Sequence, residues 1–107
     1  MAKVSKQDGK VENSNDVLAT NEDFWQLGKA YLIRTVTMID TGVLVSFNEH
    51  EIVLRDAAWI ADTGRFSEGL KTCEFNEVEP FPSGLVLIGR GAVIDAVQIE
   101  RAPLKLK

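Results

Sequence analysis

Hydrophobic and polar residues change rhythm near Ala30. Residues 1–19 are polar, carry Lys, Asp, Asn and Ser, and repeat with neither a helix nor a strand period. They read as an N-terminal arm, flexible alone or held by a partner. Thr20 then has the chemistry of an N-cap, with Asp23 three residues on. Phe24, Trp25 and Leu27 supply an apolar face, and Gly28 can end the turn, so the pattern predicts a short helix over 21–27. From Ala30 the pattern becomes β-branched and alternating, the mark of half-buried strands. It predicts a strand over 31–38, a turn at Asp40-Thr41-Gly42 and a second strand over 43–48. Val43, Val45 and Phe47 share one face of that strand. Asn48-Glu49-His50-Glu51 reads as a tight turn before a third strand over 52–60. A final pair, 85–88 and 92–99, flanks Gly89-Arg90-Gly91, and Pro103 closes the run before a tail at 104–107.

Between the pairs lies a segment punctuated by Asp62-Thr63-Gly64, Glu68-Gly69 and Pro80-Phe81-Pro82-Ser83-Gly84. It is long for a loop without structure of its own. Arg65–Leu70 can make a helical turn and Cys73–Val78 a short strand. The sum is a mainly β chain with one domain over 20–107 and a variable loop at 61–83. The length of 107 residues suits one modest core.

Composition narrows the function. Hydrophobic residues make up 45% and the net charge is −4, an ordinary globular balance on the acidic side. Sequence-independent nucleic-acid binding feeds on clustered Lys and Arg, and an acidic chain argues against it. No stretch has the length and apolarity of a membrane span, and the N-terminus lacks a signal-peptide core. Cys73 is alone, so no intrachain disulfide forms and a reducing, cytoplasmic setting is the expectation.

The chemistry-bearing motifs each have a plainer reading. Asp-Thr-Gly occurs at 40–42 and 62–64, the triplet in which aspartic proteases share a proton between two carboxylates. The two copies stand 22 residues apart and are followed by Val43 and Arg65, so turn chemistry accounts for them better. The glycines between Gly84 and Gly91 lack the following Lys-Ser or Lys-Thr of a phosphate loop. One His and one Cys give no metal-ligand spacing, and Cys73 has no flanking signature of a nucleophile. The aromatic residues have no regular spacing and few basic neighbours, which favours core and interface roles over base stacking. The sequence therefore predicts no catalytic residues, no metal and no cofactor.

Two blocks carry a resemblance. Leu32–Thr37 with Thr41–Ala57, and Leu85–Val97, resemble the two signature blocks of the Sm-like small β-barrels. The likeness covers just over half the chain. It implies a five-stranded, strongly bent antiparallel barrel of Sm-like or SH3-like type after a short N-terminal helix. It also implies work as a homo-oligomer, with Ala92, Val93, Ile94, Val97 and Ile99 of the last strand meeting a neighbour. Arg90-Gly91 matches the family's Arg-Gly turn, and Asn48-Glu49-His50 echoes its Asp-x-His. Arg90, Gly91, Asn48 and His50 are thus the candidate ligand or RNA residues. Ala92 follows where the family has Asp, Asn or Ser. Glu51 replaces the family's RNA-contacting Asn, and a carboxylate repels phosphate. In style the chain is also similar to small phage proteins. The expectation is a non-enzymatic assembly or interaction protein, such as a phage structural or accessory component, cytoplasmic or in the virion. Protein partners would be met through the 1–19 arm. The alternatives are an Sm-like RNA-binding ring and an oligomer that binds a small anion or nucleotide.

Overall fold

The computed structural model describes residues 24–107. Strands β1 (Ala30–Thr35), β2 (Ile39–Phe47) and β3 (Glu51–Asp62) form a meander. Helix α1 (Phe66–Thr72), β4 (Glu77–Pro80), β5 (Val86–Gly89), a single 3-10 turn (Arg90–Ala92) and β6 (Val93–Ile99) follow. All pairings are antiparallel, in the order β4-β3-β2-β1-β6, with β5 also on β3. The architecture is a bent six-stranded sheet with one short helix, and the sheet does not close into a barrel. The strand count thus exceeds the five expected from sequence, because β4 and β5 share one edge of β3. β5 pairs Glu51–Leu54 and β4 pairs Ala58–Asp62. Pro80 and Pro82 cannot donate to a ladder; Phe81 between them makes a last bond to β3, its N–H donating to the Ala57 carbonyl at 2.9 Å, and the chain returns at Val86.

The break in that edge coincides with a bend in β3. Val43 pairs Arg55 while Thr41 pairs Ala58, so β3 carries an extra residue there. Asp56 absorbs it with a left-handed φ of 50°. A bulge reverses the phase of the alternation. Ile52 and Leu54 point into one core before it, and Ala57 joins the same core after it. Gly42 lies beside this fold in the sheet. A Cβ there would sit 2.8 Å from the Cβ of Leu54, which is why no larger residue fits.

The sheet buries both faces. Tyr31, Ile33, Leu44, Ile52, Leu54 and Ile88 gather with Trp25 on one side. Ala30, Leu32, Ile60, Cys73, Phe75 and Val78 gather with Ile99 on the other. This explains the unbroken apolar run of β1, whose alternate residues serve different cores. The segment 61–83 supplies the cover for the second core. α1 packs so closely that a Cβ on Gly69 would meet the Phe75 ring at 2.9 Å.

Two local expectations are corrected. Asp40-Thr41-Gly42 is not a turn but the buried interior of β2. The turn falls at 36–38, where Thr35 N–H donates to the Met38 carbonyl at 2.8 Å and Met38 N–H donates to Thr35 Oγ1 at 3.1 Å. The expected helix over 21–27 does not extend past Phe24 among the described residues. Gln26 N–H instead donates to the Tyr31 hydroxyl at 2.8 Å, and that hydroxyl donates to the Phe24 carbonyl at 2.7 Å. The rest of that helix and the 1–19 arm lie outside the described residues. The second Asp-Thr-Gly is a turn, with Gly64 at φ 69° and its N–H on Asp62 Oδ1 at 2.8 Å.

Candidate functional site

The β2–β3 turn is built on Asn48. Its side-chain Oδ1 accepts from His50 N–H at 2.7 Å and from Glu51 N–H at 2.9 Å, the Asx pattern that lets asparagine nucleate a turn. Asn48 N–H donates to the Glu51 carbonyl at 3.0 Å and closes the hairpin. Because β5 pairs Glu51 with Gly89, the Arg90 turn lands directly against it. Arg90 N–H donates to the His50 carbonyl at 2.9 Å, and Arg90 Nη1 donates to the Asn48 carbonyl. The guanidinium also lies 5.9 Å from the ring centroid of buried Trp25, within cation–π range. Asn48 and His50 thus share one corner with Arg90, which lies 42 residues after Asn48 in the sequence.

That corner is engaged internally. The Arg90 guanidinium is held by a carbonyl and an aromatic face of its own chain, and among the described residues it pairs with no carboxylate. Asn48, Glu49 and His50 are exposed, and the two acids beside the histidine lower the local potential. Arg90→Ala removes a charge-assisted hydrogen bond that ties two turns. The expected loss is about 1–3 kcal/mol of folding stability, read by urea denaturation. Gly91 is required by neither space nor backbone: it has no left-handed φ, and a Cβ would meet nothing within 4 Å. Gly91→Ala should therefore leave the melting transition within about 0.5 kcal/mol of the parent.

The five residues expected at an interface divide. Ile94 is 63% exposed and Val97 37%, both on β6. Val93 packs against the first core, and Ile99 is buried in the second. Ile99 is therefore spent inside the chain and offers a neighbour little. Ala92 closes the 3-10 turn, its carbonyl accepting Val36 N–H at 3.1 Å. Asp95, the one charge on β6, is occupied by Arg34 of β1, Nε to Oδ1 at 2.7 Å and Nη2 to Oδ2. This pairing holds the Asp95 carboxyl below the usual carboxylate range.

Cys73 is buried in the second core at the left-handed C-cap of α1, with φ 61°, whereas His50 is an exposed turn residue. Among the described residues no group of three or more His, Cys, Asp or Glu is placed to hold a metal ion. No helix among them is long and apolar enough to cross a membrane. Comparison with family models, curated proteins and solved structures finds no match for the chain.

Sequence reading missed a latch on the C-terminal segment. Lys107 and Val78 exchange both backbone hydrogen bonds, at 2.9 and 3.0 Å, along the outer edge of β4. Glu74 holds the same segment through Arg101 at 3.1 Å and Lys107 at 3.2 Å. The ammonium and guanidinium lower the Glu74 pKa, the lysine contributing most. The alternation of Leu104-Lys105-Leu106-Lys107 was the available signal.

Proposed function

We propose that the chain is a non-enzymatic assembly protein. It is a small bent β-domain of Sm-like type whose copies join head to tail through the open edges of β5 and β6. The supporting observation is what those two edges lack. Natural sheet edges are protected by charges, prolines or a covering segment. β4 has such a cover in Lys107. β5, Val-Leu-Ile-Gly, has no charge on it, and Leu87 is 59% exposed. β6 has the single charge of Asp95, already bound to Arg34, and it exposes Ile94 and Val97. Among the described residues β5 pairs only with β3 and β6 only with β1. Two different open edges on one chain make a heterologous contact, which closes into a ring or continues as a filament.

Lysine substitutions at single edges test this. Leu87→Lys blocks β5 and leaves β6 intact; Val97→Lys does the reverse. Each alone should elute as a monomer with an unchanged β-type circular dichroism spectrum. Mixed, the two variants retain one good edge each and should form a one-to-one dimer that stops there. If either variant keeps the parent's size, the edges do not carry assembly. The RNA-ring reading is separated by an oligonucleotide titration. It requires affinity at low salt that falls steeply as salt rises. The internal engagement of Arg90 and the carboxylate at Glu51 favour no binding.

A further inference from the structure

The two faces of the sheet are furnished differently at the β6 edge. On one face Val93 and Ala96 pack against the first core. On the other, α1 stands beside the strand, with the Arg34 guanidinium 5.7 Å from the centroid of the Phe66 ring. A notch of about 230 Å³ opens there between α1 and β6, lined by Phe66, Leu70 and Val97 with Leu32 at its base. Phe66 and Val97 are 39% and 37% exposed, so this apolar surface is open to solvent rather than spent in the core. The two charges at the notch, Arg34 and Asp95, are bound to each other by two parallel hydrogen bonds. A bidentate pair leaves no net charge to attract an ion, and what remains asks for an apolar side chain.

β5 carries such a side chain on its open edge. Val86 and Ile88 pair with Leu54 and Ile52 and face the first core. Alternation turns Leu87 and Gly89 to the opposite face, where Leu87 is 59% exposed. A strand laid on β6 can present either face to α1. The first-core face of β5 arrives with Trp25, Tyr31 and Leu44 gathered on it. A packed core cannot enter the space that α1 fills, whereas one leucine can. The neighbour must therefore turn its Leu87 face toward α1.

Directly opposed residues of neighbouring strands share a face. Asp95, Val97 and Ile99 pair with Arg34, Leu32 and Ala30 and lie on the α1 face, so Leu87 can oppose one of these three. Opposite Val97 it enters the notch. An antiparallel ladder, the only kind among the described strands, then sets Gly89 against Asp95. Glycine has no side chain to disturb the Arg34–Asp95 pair. Opposite Asp95, Leu87 would press on that pair, and opposite Ile99 it would miss the notch. Given the pairing of β5 with β6 proposed above, we infer that its register sets Leu87 of a second copy against Val97, with the leucine seated between β6 and α1. α1 thereby selects which face of the neighbour is admitted.

Disulfide trapping between full chains tests the register. Under mild oxidation, Leu87→Cys mixed with Val97→Cys should give a covalent dimer. Each alone should give none, since Cys73 is buried. Leu87→Cys mixed with Asp95→Cys should link about tenfold more slowly, because a slip of two residues moves the partner about 7 Å along the strand, beyond the reach of a disulfide. A second readout does not depend on disulfide geometry. Leu87→Glu and Val97→Lys should each elute as a monomer, and the two in one chain should restore the parent's size. Faster trapping at Asp95→Cys would overturn the register. So would an assembling parent that gives neither the link to Val97→Cys nor the restored size. A parent that sediments at the mass of one chain would instead remove the edge pairing itself, and the register with it.

Discussion

Phe75→Ala should remove about 3–5 kcal/mol of folding stability. Phe75 is 1% exposed in the second core, among Ile60, Cys73 and Val78. It is also the residue against which α1 comes to rest, through Gly69. An alanine there leaves a ring-sized void that neither α1 nor β4 can fill, because β4 is fixed by its ladder to β3 and by Lys107. A domain of this size has only about 5–15 kcal/mol in all, so the variant should lie near the edge of folding at 37 °C. Urea denaturation followed by tryptophan fluorescence reads the loss as a lower midpoint with an unchanged slope. A loss below about 1 kcal/mol would mean that segment 61–83 covers the sheet without packing on it.

Asp40→Asn should stabilise the chain at neutral pH and leave it unaltered in acid. Asp40 is 6% exposed near the start of β2, paired across the sheet with Ile33 and Trp59, and its Oδ1 finds no hydrogen-bond partner among the described residues. Burial pushes its carboxyl pKa up. The folded chain therefore holds this proton at pH values where the unfolded chain has released it. Stability from this group is greatest below the ordinary carboxylate range and declines as pH rises through the raised value. Glu74 and Asp95 have the opposite sign. Their lowered values add stability above the ordinary range that is lost as pH falls, and their exposure keeps that part small. Asparagine has no charge to bury, so at pH 7–8 the variant should exceed the parent by about 1–3 kcal/mol. The two should coincide near pH 3. A parent at least as stable as the variant at pH 8 would show that the carboxylate has a partner.

Which parts of this fold were legible in the sequence follows from how far each depends on contacts distant along the chain. The hairpin of β2 and β3 was visible because Val43, Val45, Phe47 and the run from Ile52 to Ile60 alternate around an asparagine turn. The convergence of Arg90 with Asn48 and His50 follows from that hairpin and from the glycines around Arg90. Asp40-Thr41-Gly42 misled because its residue types favour turns locally, whereas Gly42 is there to admit Leu54 from the next strand. The hydroxyl of Thr35 made the real turn without glycine or proline to announce it. β4 was blurred by Pro80 at its end, and the bulge at Asp56 broke the period that would have marked where β3 bends.

The account turns on whether copies of this chain pair through β5 and β6. Sedimentation equilibrium of the unsubstituted chain at micromolar concentration is the most direct measurement. Head-to-tail edge pairing predicts a mass of at least twice the 11.8 kDa of one chain. A single species of 11.8 kDa at that concentration would contradict it.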